Sequence, residues 1–239
     1  MVDSAAREPS NLAIVHEKYI KAANEIAHMG YTLNKALRNH VYLASNHAQG
    51  RVIIKFASSL PSRYGLKQSA EFLSQNPSDY WPEVIEYGSS HHIDWLITPY
   101  IEGRTLCSMI NKEDPNKKAF ECDPVFSWLS TLETAVNTLH QCGHVHGDIK
   151  PSNVLIDRNQ NIHLIDFDSV TAIGTVLESL PYSFISPNFA PNVKKNPTTS
   201  VTTQTDWYSV ATTLEAILAR FSNSTSGLPS RYQVILRNH

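Results

Sequence analysis

Short apolar runs broken by polar turns fill the first part of the chain, and this pattern predicts β-strands. The runs lie at residues 41–44, 51–57, 84–87 and 93–100, and they are rich in Val, Ile, Leu and aromatic residues. The polar turn at 45–50 would join the first two runs as neighbouring strands.

Other segments carry apolar residues three or four positions apart, which is the spacing of one face of an α-helix. This spacing predicts helices at residues 12–26, 66–73 and 124–139. A last helix would begin at Thr205 and Asp206, whose side chains can cap its first turn.

Two short strands, at 154–156 and 162–165, are predicted between the last two helices. Strands therefore come first and helices later, an order that predicts an α+β fold of two unequal lobes. We expect an N-terminal helical extension at 1–29, a small β-rich lobe at 30–100, and a joint with a mainly helical lobe at 101–239.

Composition narrows the expected partners and location. The 239 residues carry a formal net charge of −2 with no polybasic run, so we expect neither a nucleic-acid partner nor a membrane partner. The sequence starts without a signal-peptide core and has no apolar stretch of roughly 20 residues. The three cysteines form no CxxC pair, which argues against a disulfide framework and favours a cytoplasmic location.

Two motifs carry the candidate chemistry, one beginning at His146 and one at Asp166. The first presents Asp148, Lys150 and Asn153 in a single loop, and the second follows the predicted hairpin. Oxygen atoms of Asp and Asn suit Mg²⁺, a carboxylate can position a hydroxyl group, and a lysine can neutralise charge on a phosphoryl group. Phosphoryl transfer requires this set of groups; the plainer alternative is that they cap a turn.

Both motifs resemble those of the protein-kinase superfamily. The tripeptide ending at Asp148 stands at the HRD position of the catalytic loop, and the tripeptide beginning at Asp166 stands at the DFG position. By this resemblance Asp148 is the catalytic base, Lys150 neutralises charge, and Asn153 and Asp166 hold Mg²⁺. The resemblance implies a bilobal fold and an ATP-dependent kinase that acts on Ser or Thr of a protein substrate.

The resemblance extends into the first lobe. Lys55, in the predicted strand at 51–57, stands where kinases have the lysine that grips the α- and β-phosphates of ATP. Glu71, on the next predicted helix, would be the ion-pair partner of Lys55, with Glu83 as a weaker rival.

The stretch from Thr98 to Gly103 resembles the hinge between kinase lobes. Backbone groups of Pro99, Tyr100 and Ile101 would then contact the adenine of ATP. An ordinary edge strand that runs into a loop is the alternative.

Three departures from the family pattern are visible. The loop expected to cover the phosphates, at 34–41, has no glycine, so Lys35 or Arg38 would have to hold them by charge. Gly147 replaces an arginine that pairs with an activating phosphate, which predicts activity without activating phosphorylation. The short stretch after Asp206 predicts a reduced helical lobe.

Two other functions stay open. A small-molecule kinase of the aminoglycoside or choline type shares both motifs, although Lys150-Pro151 is the Ser/Thr protein-kinase form, and residues 98–148 leave little room for a substrate-holding insert. A nucleotide-binding pseudokinase scaffold would explain the glycine-free loop but not the complete catalytic set. Small kinases also occur among bacterial effectors, so delivery into a host cell is a second expected location. The sequence indicates no oligomeric state.

Overall fold

A computed structural model of the chain describes residues 12–109, 124–182, 199–221 and 227–237. These residues form a β-rich lobe followed by a mainly helical lobe, which confirms the predicted α+β fold. No helix in the described ranges is both long enough and apolar enough to cross a bilayer.

The first lobe is built on a five-stranded antiparallel sheet with the order β1-β2-β3-β5-β4. Its strands are β1 (Tyr31–Arg38), β2 (Val41–Asn46), β3 (Gly50–Ala57), β4 (Glu86–Ser90) and β5 (Ile93–Pro99). Strands β2 to β5 correspond to the four predicted runs. Strand β1 was not predicted, because its second half is exposed and lacks apolar alternation.

Alternation of side chains divides this sheet into two faces. Val52, Ile54 and Phe56 of β3 are buried in one core with helix α1 (Ile20–His28). Ile53 and Lys55 point to the opposite face and line a cleft between the lobes. The position of Lys55 therefore follows from the period of the strand.

The helix predicted at 12–26 is interrupted in the structure. Two 3-10 turns, at Leu12–Ile14 and Glu17–Tyr19, precede α1. Tyr19 is buried, and its ring stacks on that of Phe56 with centroids 5.2 Å apart. This N-terminal segment therefore covers the face of the sheet that lies away from the cleft.

Helix α2 (Leu60–Gln75) is longer than the helix predicted at 66–73. Its start is set by Ser59, whose Oγ accepts from Ser62 N at 3.3 Å, while Ser62 Oγ accepts from Ser59 N at 3.1 Å. Such reciprocal caps satisfy backbone N–H groups that lack helical partners. Arg63 Nε donates to the buried carboxylate of Asp94 at 2.9 Å, which ties α2 to β5.

The second lobe contains four helices and two small sheets among the described residues. The helices are α3 (Leu106–Met109), α4 (Pro124–Gln141), α5 (Gln204–Phe221) and α6 (Ser230–Arg237). One sheet has the order β6-β8-β9, with β6 (Gly103–Thr105), β8 (Val154–Asp157) and β9 (Ile162–Leu164), and the other pairs β7 (His144–Val145) with β10 (Thr171–Ala172).

One apolar core joins α4, the β8–β9 hairpin and α5. Its fully buried members include Leu132, Val136, Val154, Leu164 and Leu214. This packing fixes the open end of the hairpin, where both chemical motifs meet. Residues 110–122 of the predicted joint lie outside the described part of the chain.

Candidate active site

The β8–β9 hairpin brings two candidate side chains to one place. Val154 pairs with Leu164 in the antiparallel register, and Ile165 N donates to Asn153 O at 3.0 Å. Asn153 and Asp166 therefore leave the hairpin next to each other. Both side chains line the cleft between the lobes.

Lys55 reaches the same point from the sheet of the first lobe. Its Nζ lies 2.5 Å from Asp166 Oδ1 and 2.6 Å from Asp168 Oδ2, so one cation bridges two carboxylates. Burial alone would lower the pKa of Lys55, but the two carboxylates outweigh burial and raise that pKa above its ordinary value. Burial alone would raise the pKa of Asp166, but Lys55 holds that pKa at about 2. Both groups are therefore charged at neutral pH.

The loop after β7 holds Asp148 by one of its two carboxylate oxygens. Asp148 Oδ2 accepts from Lys150 Nζ at 2.5 Å and from Asn153 Nδ2 at 3.2 Å. Asp148 Oδ1 is buried and accepts no hydrogen bond from any described residue. Leaving a buried polar atom unsatisfied costs about 1–3 kcal/mol, so a donor supplied by a ligand would be stabilising there.

Asp206, at the start of α5, holds the backbone of this loop through hydrogen bonds. It is fully buried, and its two oxygens accept from His146 N at 2.9 Å and from Gly147 N at 3.0 Å. The ring nitrogen His140 Nε2 lies 2.9 Å from Asp206 Oδ2. The carboxylate therefore fixes the backbone immediately before Asp148.

Phe167 fixes the two aspartates that flank it. Its ring is buried, stacks on Phe72 with centroids 5.3 Å apart, and lies 4.7 Å from the ring of His146. Asp166 has a φ of 69°, in the left-handed region that residues other than glycine seldom adopt. Backbone strain of this kind concentrates at functional sites.

The cleft has a volume of about 290 Å³, near the lower end of the range for ligand pockets. The three residues predicted to contact adenine, Pro99, Tyr100 and Ile101, all line it. Proline has no amide hydrogen, and Tyr100 N donates to Arg51 O at 3.0 Å. The Ile101 amide makes no hydrogen bond within the described residues, so it is the N–H group that a nucleotide base could use.

The turn between β1 and β2 covers the inner end of the cleft. Leu37, Arg38 and His40 line the cleft and Lys35 does not, although Arg38 and Lys35 are both exposed. Burial lowers the pKa of His40, and the positive charge of Lys55 lowers it further. His40 is therefore uncharged at neutral pH, and Arg38 is the cation of this turn that faces the cleft.

The predicted ion pair between Lys55 and Glu71 is wrong. Glu71 lies on the exposed side of α2, where its carboxylate is 3.6 Å from Lys67 Nζ and accepts from Gln68 Nε2 at 3.2 Å. The residues of α2 that line the cleft are Ser69 and Leu73, and both are buried. Glu83, the rival candidate, is exposed and does not line the cleft.

The donors at the end of the hairpin fit the Mg²⁺ ion that the resemblance implies. Asn153 and Asp166 both line the cleft, and their side chains offer the hard oxygen atoms that Mg²⁺ prefers. Within the described ranges, no three His, Cys, Asp or Glu side chains converge as a metal cluster. Mg²⁺ suits such a sparse site, since proteins usually hold it by one or two carboxylates together with substrate phosphates.

Two residues of this site had no predicted role. Asp168 was noted only as the third residue of its motif, and the signal available was its position two residues after Asp166, on the other side of a buried phenylalanine. His140 directly follows the helix predicted at 124–139, and the structure places it in contact with Asp206. Its spacing from the catalytic loop gave no signal for that contact.

The chain is similar to known protein kinases in sequence and in fold. Residues 73–232 match the family model described as the protein kinase domain. Citron rho-interacting kinase of Rattus norvegicus is 27% identical over 170 residues, which cover 69% of this chain and 8% of that protein. Serine/threonine-protein kinase CHK1 of Saccharomyces cerevisiae is 29% identical over 140 residues, which cover 56% of this chain and 26% of that protein.

A bacterial relative and a viral structure extend the comparison. The O-antigen chain terminator bifunctional methyltransferase/kinase WbdD of Escherichia coli is 28% identical over 153 residues, covering 60% of this chain and 20% of that protein. The matches thus span only 8% to 26% of these three relatives. The structure of the Cydia pomonella Granulovirus kinase PK-1 is similar with a TM-score of 0.65 and 21% identity, covering 84% of this chain and 75% of that one. That likeness shows the fold.

Proposed function

We propose, from the premise that this chain belongs to the protein kinase domain family, that it transfers the γ-phosphoryl group of ATP to Ser or Thr hydroxyls of a protein substrate. One of the similar relatives, CHK1 of Saccharomyces cerevisiae, carries the Ser/Thr acceptor class in its name. The nucleotide would occupy the cleft, with its base at Ile101 and its phosphates beneath Arg38.

The hydrogen bonding of the two Asp148 carboxylate oxygens is the observation that carries this proposal. Its Oδ2 is held by Lys150 and Asn153, while its Oδ1 is buried and accepts nothing from the described residues. The Oδ1 atom is left unpaired, so it is the oxygen that would accept a hydrogen bond from an acceptor hydroxyl group bound beside it. A general base needs to be within hydrogen-bond reach of the proton that it accepts.

The proposed step is an in-line displacement at the γ-phosphorus. The acceptor oxygen forms a bond to phosphorus as the bond to the departing ADP oxygen breaks, and the acceptor proton passes to Asp148 Oδ1. Lys150, 2.5 Å from Asp148 Oδ2, lies where it can neutralise charge on the transferred group. Lys55 aligns the phosphates. When bound at Asn153 and Asp166, Mg²⁺ would supply further neutralisation of phosphate charge.

The acceptor class is tested by incubating the full chain with γ-labelled ATP, Mg²⁺ and a panel of acceptors. We expect label on Ser or Thr of a protein, either a generic substrate or the chain itself, identified by mass spectrometry. Label found only on sugars or amino alcohols would replace the proposal with a small-molecule kinase. Such acceptors belong in the panel because the relative WbdD is named an O-antigen chain terminator and a kinase. ATP binding without transfer would indicate a pseudokinase.

A further inference from the structure

The carboxylate partners of Lys55 come from one segment of the chain. Asp166 and Asp168 both contact its Nζ, at 2.5 Å and 2.6 Å, and they flank the buried Phe167. Helix α2 contributes the uncharged Ser69 to this part of the cleft instead of an acidic side chain. Lys55 therefore has no carboxylate partner from α2.

Two carboxylates around one lysine are more than a stable ion pair needs. In the proposed function Asp166 binds Mg²⁺, and its contact with Lys55 competes with that role. Asp168 is placed to keep Lys55 neutralised when Asp166 turns to the metal. The pair is well enclosed, since the side chains of Lys55 and Asp168 are 17% and 22% exposed, so solvent screens it only partly.

We propose that Asp168 is the positioning residue for Lys55, a role that no residue of α2 fills in this chain; this inference rests on the proposed function of the same cleft. Asp168 holds the ammonium group in the cleft and frees Asp166 for Mg²⁺. Lys55 is consequently coupled to the segment that follows Phe167, and no acidic side chain of α2 contacts it.

The surroundings of Asp168 support this assignment. Phe167 stacks on Phe72 of α2 and contacts the ring of Trp81, with centroids 5.8 Å apart, so the backbone on either side of it is held in place. Asp168 Oδ1 is buried and has no hydrogen-bond partner among the described residues. Among the described residues, the Asp168 side chain is therefore held by its hydrogen bond with Lys55.

The test is a double-mutant cycle that measures the Mg²⁺ concentration needed for half-maximal ADP binding, by calorimetry on the full chain. In Asp168→Asn, Lys55 has only Asp166 as a partner, so we expect the required Mg²⁺ concentration to rise on the order of threefold to tenfold. In the Lys55→Met background the competitor for Asp166 is absent, and Asp168→Asn should cause no rise. A residue that merely supports the fold would show its effect in both backgrounds.

Three companion variants sharpen the test. Asp168→Glu retains the charge and should restore most of the Mg²⁺ response, while Glu71→Gln, whose side chain is exposed on α2, should behave as wild type. Asp168→Ser repeats the measurement should the isosteric variant not fold, which thermal unfolding reports. An unchanged Mg²⁺ requirement in Asp168→Asn, or an equal rise in Glu71→Gln, would overturn the inference.

Binding of ADP does not depend on transfer, so this result stands apart from the proposed function. If Asp168→Asn raises the Mg²⁺ requirement for ADP binding as predicted but the wild-type chain phosphorylates nothing, the proposed function is contradicted and the role of Asp168 is not. If the chain phosphorylates protein but Asp168→Asn leaves the Mg²⁺ requirement unchanged, the proposed function stands and the role of Asp168 is contradicted.

Discussion

Gly147 occupies the position where the family pattern has an arginine, and its backbone accounts for the glycine. Its φ is +76°, and a Cβ atom placed there would lie 2.6 Å from the carbonyl oxygen of Ser169. The backbone amide of Gly147 donates to Asp206, so the loop cannot shift away from Ser169 without losing that bond. An arginine side chain is therefore excluded by geometry as well as absent from the sequence.

Replacing Gly147 by alanine should destabilise the protein and slow transfer. The positive φ alone lowers the unfolding free energy by about 1–2 kcal/mol when the residue has a side chain. The clash between the added Cβ and Ser169 lowers it by a further ~1–3 kcal/mol. Gly143→Ala is the matched control, because its φ is also +76° but nothing lies within 4 Å of the added Cβ. Denaturant unfolding of both variants measures the difference. Equal losses of unfolding free energy would show that the contact with Ser169 is unimportant.

At the scale of elements, the β1–β2 hairpin replaces the glycine-rich cover that the family pattern predicts. Register shifts between Leu33 and Lys35 and between Ala36 and Arg38 interrupt the pairing of β1 with β2, and such irregularities increase the local twist of a strand pair. The backbone turn is secured by Phe56 N, which donates to His40 O at 2.8 Å. The hairpin therefore offers a side-chain cation to the cleft, where a glycine-rich turn would offer backbone amides.

The charge of Arg38 should therefore contribute more to the affinity for a nucleotide than the charge of Lys35. We expect Arg38→Ala to weaken ADP binding on the order of tenfold, the loss that follows removal of one charge-assisted hydrogen bond. Lys35→Ala removes the same charge from an exposed position of the same strand that does not line the cleft, and it should change the affinity less than twofold. Calorimetry with ADP and Mg²⁺ compares the two. Equal effects would mean that the hairpin acts only through net charge.

At the scale of the whole molecule, the sequence could predict the site residues that lie close together along the chain, within one loop or one hairpin. Asp148, Lys150 and Asn153 share one loop, and the hairpin register carries Asp166 back to Asn153. Lys55 was predicted because it stands in a strand where the kinase pattern has its lysine, and β3 presents it to the cleft. Local sequence therefore predicted that Lys55, Asn153 and Asp166 meet in one cleft.

Contacts that depend on how elements dock could not be predicted in the same way. The partner of Lys55 depends on where α2 begins and which side it turns to the sheet; the helix starts at Leu60 under the cap of Ser59, and this leaves Glu71 in solvent. The role of Asp168 depends on the burial of Phe167 between the lobes. Neither the cap nor that burial is visible as a chemical motif.

The central claim is that Asp148 is the base of a working phosphotransfer site, and it is tested by single-turnover transfer of labelled phosphate in wild type and Asp148→Asn. We predict that the variant keeps its ADP affinity and unfolding midpoint while transfer slows by roughly 10²–10⁴-fold, the usual contribution of general-base catalysis. Transfer by Asp148→Asn at the wild-type rate would contradict the account.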